Sequence, residues 1–223
     1  SFTGSQGVGA RIAQQCAANL KKVQLEMGGK NPQIILDDAD LKAAVIAGVH
    51  SCYTNAGQNC QSPTRMLVPR AKRDEAFAAA REAVAAIRLG DPQDPASTMG
   101  PLVSQAQFDK VQGLIQAGVD EGATLVAGGT GLPEHLYGGY YVRPTVFGDV
   151  TRDMRIAREE VFGPVLSIMS YDSEDEAVSI ANDTLFGLAG FVQSKDVKHA
   201  RRVANRIRAG RVYINGATFD RSL

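Results

Sequence analysis

The sequence predicts an α/β fold, a mostly parallel twisted sheet flanked by helices. Two observations carry that expectation. Short strand-like runs alternate with longer helical segments along nearly all of the 223 residues, the rhythm of parallel strands joined by helical crossovers. Several of these runs, such as Gln33-Ile34-Ile35-Leu36 and Met66-Leu67-Val68, are apolar at consecutive positions and bounded by turn residues, as buried strands are. No internal repeat, heptad or low-complexity segment interrupts the pattern.

In order, the chain opens with a turn and a helix within residues 1–20, where Val8, Ile12, Cys16 and Leu20 form one apolar stripe. Val23, Leu25 and Met27 alternate as a half-buried strand, which Gly28 and Gly29 break. Strand 33–36 follows. Asp37 or Asp38 caps a helix over about 39–54, with Leu41, Val45, Val49 and Cys52 facing inward. Cys52 is therefore a core residue. Strand 65–69 leads to a helix over about 72–88 that turns Phe77, Ala80, Val84 and Ile87 inside. The run Asp91-Pro92-Gln93-Asp94-Pro95 is a turn. A helix over about 104–121 carries Phe108, Val111, Leu114 and Ile115, and strand 124–127 comes next. Residues 128–139 are a glycine-rich loop and the best candidate for mobility. Residues 140–150 read as extended, with Pro144 at an edge or bend. After strand 165–171, Ser173 and Glu176 form a capping box for a helix ending near Asn182. Strand 191–193, a helix over 196–208 that buries Val197, Ala200, Val203, Ala204 and Ile207, and strand 212–214 complete the pattern.

Composition narrows the function. Lysine plus arginine balance aspartate plus glutamate at 24 each, so a polyanion is not the main partner. The basic residues of the last helix, Lys195, Lys198, Arg201, Arg202, Arg206 and Arg208, read as a solvated face. No apolar run reaches membrane-spanning length and no signal peptide is visible. Cys16, Cys52 and Cys60 suit neither a disulfide framework nor a zinc site, which points to a reducing cytoplasm and to no metal. Asn182-Asp183-Thr184 fits a glycosylation acceptor only by coincidence.

The stretch Asn55-Ala56-Gly57-Gln58-Asn59-Cys60-Gln61-Ser62-Pro63 carries the chemistry. Gly57, the amides and Pro63 forbid a continuous helix, so Cys60 sits on a loop at the mouth of the scaffold. A thiolate there can attack an electrophilic carbon. A lone cysteine is more often an inert thiol. A second motif changes the reading. In Leu25-Glu26-Met27-Gly28-Gly29-Lys30 a carboxylate stands beside two glycines that let backbone approach closely. A cysteine nucleophile that passes through a thioester needs a base to activate the water that hydrolyses it. Cys60 and Glu26 supply that pair, 34 residues apart.

These motifs resemble the aldehyde dehydrogenase superfamily, with its E-x-G-G-K and G-Q-x-C runs. Glu159-Glu160-Val161-Phe162-Gly163-Pro164 is similar to a third family run, E-E-x-F-G-P. The resemblance implies that Glu160 binds a ribose hydroxyl of NAD or NADP and that Phe162 borders the nicotinamide. It also implies that Gly4, Ser5 and Gly9, in a G-S-x-x-x-G turn, lie beside the cofactor pyrophosphate. The substrate would be a small-molecule aldehyde, with Tyr53, Asn59 and Gln61 flanking its funnel and Asn215 near it. The parent protein would be a homo-oligomer, dimer or tetramer.

The resemblance further implies that residues 1–28 are a trailing piece of the cofactor-binding domain and 29–223 the catalytic domain, truncated at its C-terminal end. The chain is then expected to be a fragment, folded but nearly inactive alone, with Val8, Ile12 and Leu20 exposed. Two other readings stay open: a cysteine-dependent esterase acting through the same Cys60, and a binding or structural fragment without catalysis. His50, His135 and His199 lie in no protease signature.

Overall fold

In the computed structural model of the chain, residues 1–136 and 138–216 are described. They form two sheets. The small one pairs β1 (Phe2–Gly4) with β2 (Leu25–Met27) in parallel, joined by helix α1 (Gln6–Ala17). The large one has seven strands in the order β5-β6-β7-β4-β3-β8-β9. Its members are β3 (Pro32–Ile35), β4 (Arg65–Pro69), β5 (Thr124–Ala127), β6 (Thr145–Gly148), β7 (Val165–Tyr171), β8 (Ala189–Gln193) and β9 (Arg211–Ile214). Only β5 runs antiparallel, at one edge. The helices are α2 (Leu41–Tyr53), α3 (Arg73–Ala85), α4 (Gln105–Asp120), α5 (Arg155–Arg158), α6 (Glu174–Asn182) and α7 (Val197–Ala204).

The central strands are buried along their whole length. All four residues of β3 and all five of β4 are inaccessible, because helices cover both faces. The expected inner face of α2 is the observed one: Leu41, Val45, Val49 and Cys52 are all in the core. Register places the function. Pro32 of β3 pairs with Arg65 of β4, and Arg65 with Ser167 of β7. Three strands far apart in sequence therefore begin side by side. The segments that enter them, residues 28–31, 57–64 and 160–164, meet at one edge of the sheet. This is the amino-terminal edge of these strands, opposite to the carboxyl-end crevice at which open α/β sheets usually bind ligands.

Several local expectations are corrected. Helix α2 is capped by Asp40, whose Oδ1 accepts from Ala43 N at 3.1 Å, and not by Asp37 or Asp38. Asp38 instead accepts from Ser194 Oγ at 2.7 Å and from Asp196 N at 3.0 Å. Helix α3 ends at Ala85, short of Ile87, and α7 ends at Ala204. Val197, the first residue of α7, points outward and is 51% exposed. In residues 140–150 only Thr145–Gly148 form a strand. Leu20, counted in the α1 stripe, lies beyond the helix end; it is 94% exposed and Val8 43%, the exposure expected of this stripe.

Ser173 accepts from Glu176 N at 3.2 Å, although Glu176 returns its bond to Asp172 N, at 2.7 Å. The glycine-rich loop is tied at two points, Gly129 N to Thr145 Oγ1 and Gly131 N to Gln112 Oε1; Tyr137 lies outside the described residues. Arg206 pairs with Glu174 and Asp175, and Arg208 donates to the carbonyls of Asn182 and Thr184, so part of the basic face is neutralised locally.

Candidate active site

A cavity of about 510 Å³ lies between the two sheets. Its lining brings together Gly4, Ser5, Glu26, Gly28, Cys60, Glu160 and Phe162. Six of these seven are residues singled out from the sequence; Gly28 belongs to the same motif. Glu26 reaches it by strand alternation: Leu25 and Met27 turn to the helix side of β2, and Glu26 to the other. Gly9 does not line the cavity. It is buried within α1, where a Cβ would lie 2.4 Å from Met27 Sδ, so it permits the close packing of α1 on β2.

The Cys60 loop is held by backbone geometry. Asn55, Ala56 and Gly57 are three successive left-handed residues, costly for the first two and stabilised by what surrounds them. Gln58 and Asn55 exchange side-chain to backbone bonds at 3.2 Å, and Gln58 Oε1 accepts from Val103 N at 2.9 Å. Asn31 holds the loop from beneath. Its Nδ2 donates to the carbonyls of Cys60 (2.8 Å) and Ser62 (2.9 Å), while Oδ1 accepts from Ala189 N (3.0 Å). Gly29 is required beside it, since a Cβ there would stand 2.4 Å from Cys60 O. Asn31 was missed in the sequence. Its place immediately after the E-x-G-G-K run was the available signal, but its partners come from β4 and β8 segments that only the fold brings near.

Glu160 accepts from Gly29 N at 3.0 Å, and its Oε2 lies where a Cβ on Gly28 would be, 2.3 Å away. The preceding Glu159 instead pairs with Arg155, which explains why the second carboxylate of the run faces the site. Helix α4 clamps this segment. Gln107 Nε2 donates to the carbonyls of Val161 (3.0 Å) and Phe162 (2.8 Å), and Lys110 Nζ donates to Glu160 O (2.8 Å). Phe162 itself is left-handed, φ 56°. Neither Gln107 nor Lys110 was picked out in the sequence, because nothing distinguishes them from ordinary polar residues of an amphipathic helix.

The expected chemistry needs Cys60 to react as its thiolate. Burial pushes the Cys60 thiol above its ordinary value, and the nearby carboxylates of Glu160 and Glu26 push the same way. The resting group is a thiol that needs a base. Cys52 is inert: burial raises its thiol to about 12, and Sγ contacts Val165 O.

A second cavity, about 500 Å³, adjoins the other side of the Cys60 loop. Asn59 lines both. Gln61, Thr54, Ser51, Gln33, Phe191 and Tyr213 are on its walls, the two rings stacked with centroids 5.2 Å apart. Tyr53, expected here, is instead a core residue whose hydroxyl donates to Thr145 O at 2.7 Å; its neighbour Thr54 takes the wall position. Asn215 does not line this cavity. It brackets Ser194, donating to its carbonyl and accepting from its N–H. No cluster of His, Cys, Asp or Glu suited to a metal occurs among the described residues.

The α/β fold thus sets a loop cysteine and a strand carboxylate in one cavity, beside an open helix amino terminus. Comparison with known proteins identifies the class. The aldehyde dehydrogenase family matches over residues 1–222, and the chain belongs to that family. A 3-succinoylsemialdehyde-pyridine dehydrogenase of a Pseudomonas species is 49% identical over 220 residues, 99% of this chain and 46% of that protein. Aldehyde dehydrogenase C of Pseudomonas syringae, crystallised as a variant with NAD+ and octanal, superposes with a TM-score of 0.96 at 49% identity, covering 98% of this chain and 45% of that one. The Mycobacterium tuberculosis aldehyde dehydrogenase complexed with NAD+ gives 0.95 at 48%, with the same coverage. The chain thus spans about half the length of the relatives it matches.

Proposed function

We propose that the protein carrying this chain oxidises an aldehyde to a carboxylic acid with NAD+ or NADP+, using Cys60 as nucleophile and Glu26 as base. The observation that carries this reading is the convergence of Cys60, Glu26, Glu160 and Phe162 on one cavity. The Cys60 thiol, which burial and negative charge keep protonated, first loses its proton to solvent. The thiolate adds to the carbonyl carbon and forms a thiohemiacetal. When bound, the nicotinamide supplies the acceptor for the hydride that leaves this carbon. Glu26 then deprotonates water for attack on the Cys60 thioester, and the acid departs as the thiol is restored.

The residues present fit such a cofactor. Ser5 precedes α1 without using its side chain as a cap, and no acidic residue occupies the first turn, so the helix amino terminus stays open to a phosphate. Glu160 offers a carboxylate to a ribose hydroxyl, and Phe162 a ring to the nicotinamide. The second cavity takes the rest of the aldehyde. None of its described lining residues is charged, which suits an uncharged substrate. The octanal of the Pseudomonas syringae structure and the pyridine compound named for the Pseudomonas relative are both of that kind in their tails.

In this reading residues 1–28 belong to the cofactor domain and 29–223 to the catalytic domain, a division supported by the two separate sheets. The free thiols of Cys16, Cys52 and Cys60 suit the cytoplasm. Exposed Val8 and Leu20 suit a homo-oligomer or a further domain of the same protein. No described helix is long and apolar enough to cross a membrane.

The test is Glu26→Gln in the intact enzyme. The first-turnover burst of NADH should persist while steady-state turnover falls about 10²–10⁴-fold. Turnover close to that of the unmodified enzyme would remove Glu26 from the mechanism.

A further inference from the structure

Two residues on the wall of the second cavity each carry a buried polar atom with no partner among the described residues: Gln33 Oε1 and Ser62 Oγ. Gln33 is 2% exposed and Ser62 3%. Their orientation is fixed from behind. Gln33 Nε2 donates to Ala44 O at 3.1 Å, which leaves Oε1 as the free atom, and this oxygen lies against Gly48, where a Cβ would stand 2.3 Å away. Ser62 is anchored through its backbone: its carbonyl accepts from Asn31 and its N–H bonds Asn59 O. An orphaned buried polar atom is unfavourable, so two on one cavity wall mark a place where a ligand or water completes the bonding.

We propose that this pair selects the substrate: the enzyme prefers an uncharged aldehyde bearing a hydrogen-bond donor, a hydroxyl or amide N–H, over an alkanal of the same length. Gln33 Oε1 can only accept, so the substrate group must donate. Ser62 can accept a second bond from the same group or donate to its oxygen. The remaining wall is neutral, polar at Ser51, Thr54, Asn59, Gln61 and Gln193 and apolar at Ala47, Pro63, Phe191 and Tyr213, so a full charge would find no counter-ion there. Ser62 lies two residues beyond Cys60, at most about 7 Å of chain, so a group on the aldehyde's own skeleton can reach it while the carbonyl meets the thiol. A site built to hydrogen-bond a substrate discriminates strongly against the analogue lacking the group. This inference rests on the dehydrogenase reading above and adds the substrate class to it.

The test is steady-state kinetics of the intact enzyme with hexanal and 6-hydroxyhexanal, compared as a ratio of kcat/KM values. The expected ratio favours the hydroxyaldehyde by about tenfold or more. Ser62→Ala, which removes no bond within the chain, should lower it by about two- to tenfold. Thr64→Val removes another buried, unpartnered hydroxyl that does not line the cavity, and it should keep the original ratio. A ratio near one in the unmodified enzyme would show that water alone satisfies the two atoms and would overturn the proposal. An equal fall in Thr64→Val and Ser62→Ala would also overturn it, as a general disturbance of the loop. Turnover of neither aldehyde would overturn the dehydrogenase reading itself, and this inference with it.

Discussion

Gly57 rests on the carbonyl of Gly163: a Cβ placed on Gly57 would lie 2.1 Å from that oxygen. The loop that presents Cys60 and the turn that presents Phe162 are thus keyed together by the absence of one side chain. Gly57 also has φ 72°, a conformation natural only to glycine.

Gly57→Ala should therefore be severe. Left-handed strain and the overlap with fixed backbone together should cost about 3 kcal/mol or more. Gly163→Ala is the comparison, because its Cβ would meet Val111 Cγ2, at 2.6 Å, a side chain better able to shift. Urea unfolding of both variants decides the matter. Equal destabilisation would mean that the Gly57–Gly163 contact is not the controlling one.

Glu160→Gln separates charge from structure. A glutamine keeps an oxygen for Gly29 N but removes the nearby negative charge that helps hold Cys60 protonated. Iodoacetamide should then label Cys60 faster at pH 8, by on the order of two- to tenfold. Cys52, buried and raised to about 12, should stay unlabelled in the folded protein. A labelling rate at Cys60 that is unchanged or lower would dismiss the carboxylate's influence.

Arg65 is buried, 1% exposed, yet has no carboxylate bonded to it among the described residues. Its guanidinium donates instead to the carbonyls of Lys30 (2.9 Å), Ile180 (2.9 Å) and Ala181 (2.8 Å). The last two belong to the carboxyl end of α6, whose dipole favours a cation. Burial still draws its pKa down to about 10. Arg65→Lys cannot reproduce the fork, and orphaned carbonyls should cost about 3 kcal/mol. Chemical denaturation showing a loss below about 1 kcal/mol would mean that water replaces the lost donors.

The sequence made the sheet, most helix faces and the Cys60–Glu26 pair legible, because apolar periodicity and glycine placement are local signals. What it hid depends on register. Asn31 reads as a polar residue after a glycine pair, and only the β3–β4 alignment shows that it carries the Cys60 loop. Tyr53 and Thr54 differ by one helix position, so a slight rotation decides which is core and which is wall. The stripe on α1 was legible as apolar and as exposed, but periodicity carried it to Leu20, past the helix end at Ala17. Gly9 matched a motif, yet its role here is helix packing.

Lys30 gives a prediction in which pH is the variable. It is 1% exposed, its Nζ has no bonding partner among the described residues, and it stands beside Arg65. Burial first, then the Arg65 charge, lower its pKa to about 7. Below that value both folded and unfolded states hold the proton, and the folded state bears a buried charge. Between about 7 and the model-peptide value of 10.5 the unfolded chain holds a proton that the folded chain has shed, so stability rises with pH. Between pH 7 and 9 the gain from this one group is roughly 2 kcal/mol. The Cys52 thiol titrates with the opposite sign, but its window runs from 9.0 to about 12, above this interval. Lys30→Met keeps the aliphatic stem and removes the titration. The stability difference between Lys30→Met and the unmodified protein should therefore favour the variant at pH 7 and shift toward the unmodified protein by roughly 2 kcal/mol at pH 9, read from urea unfolding at each pH. A difference that does not change with pH would show that the Lys30 amine stays charged in the folded chain.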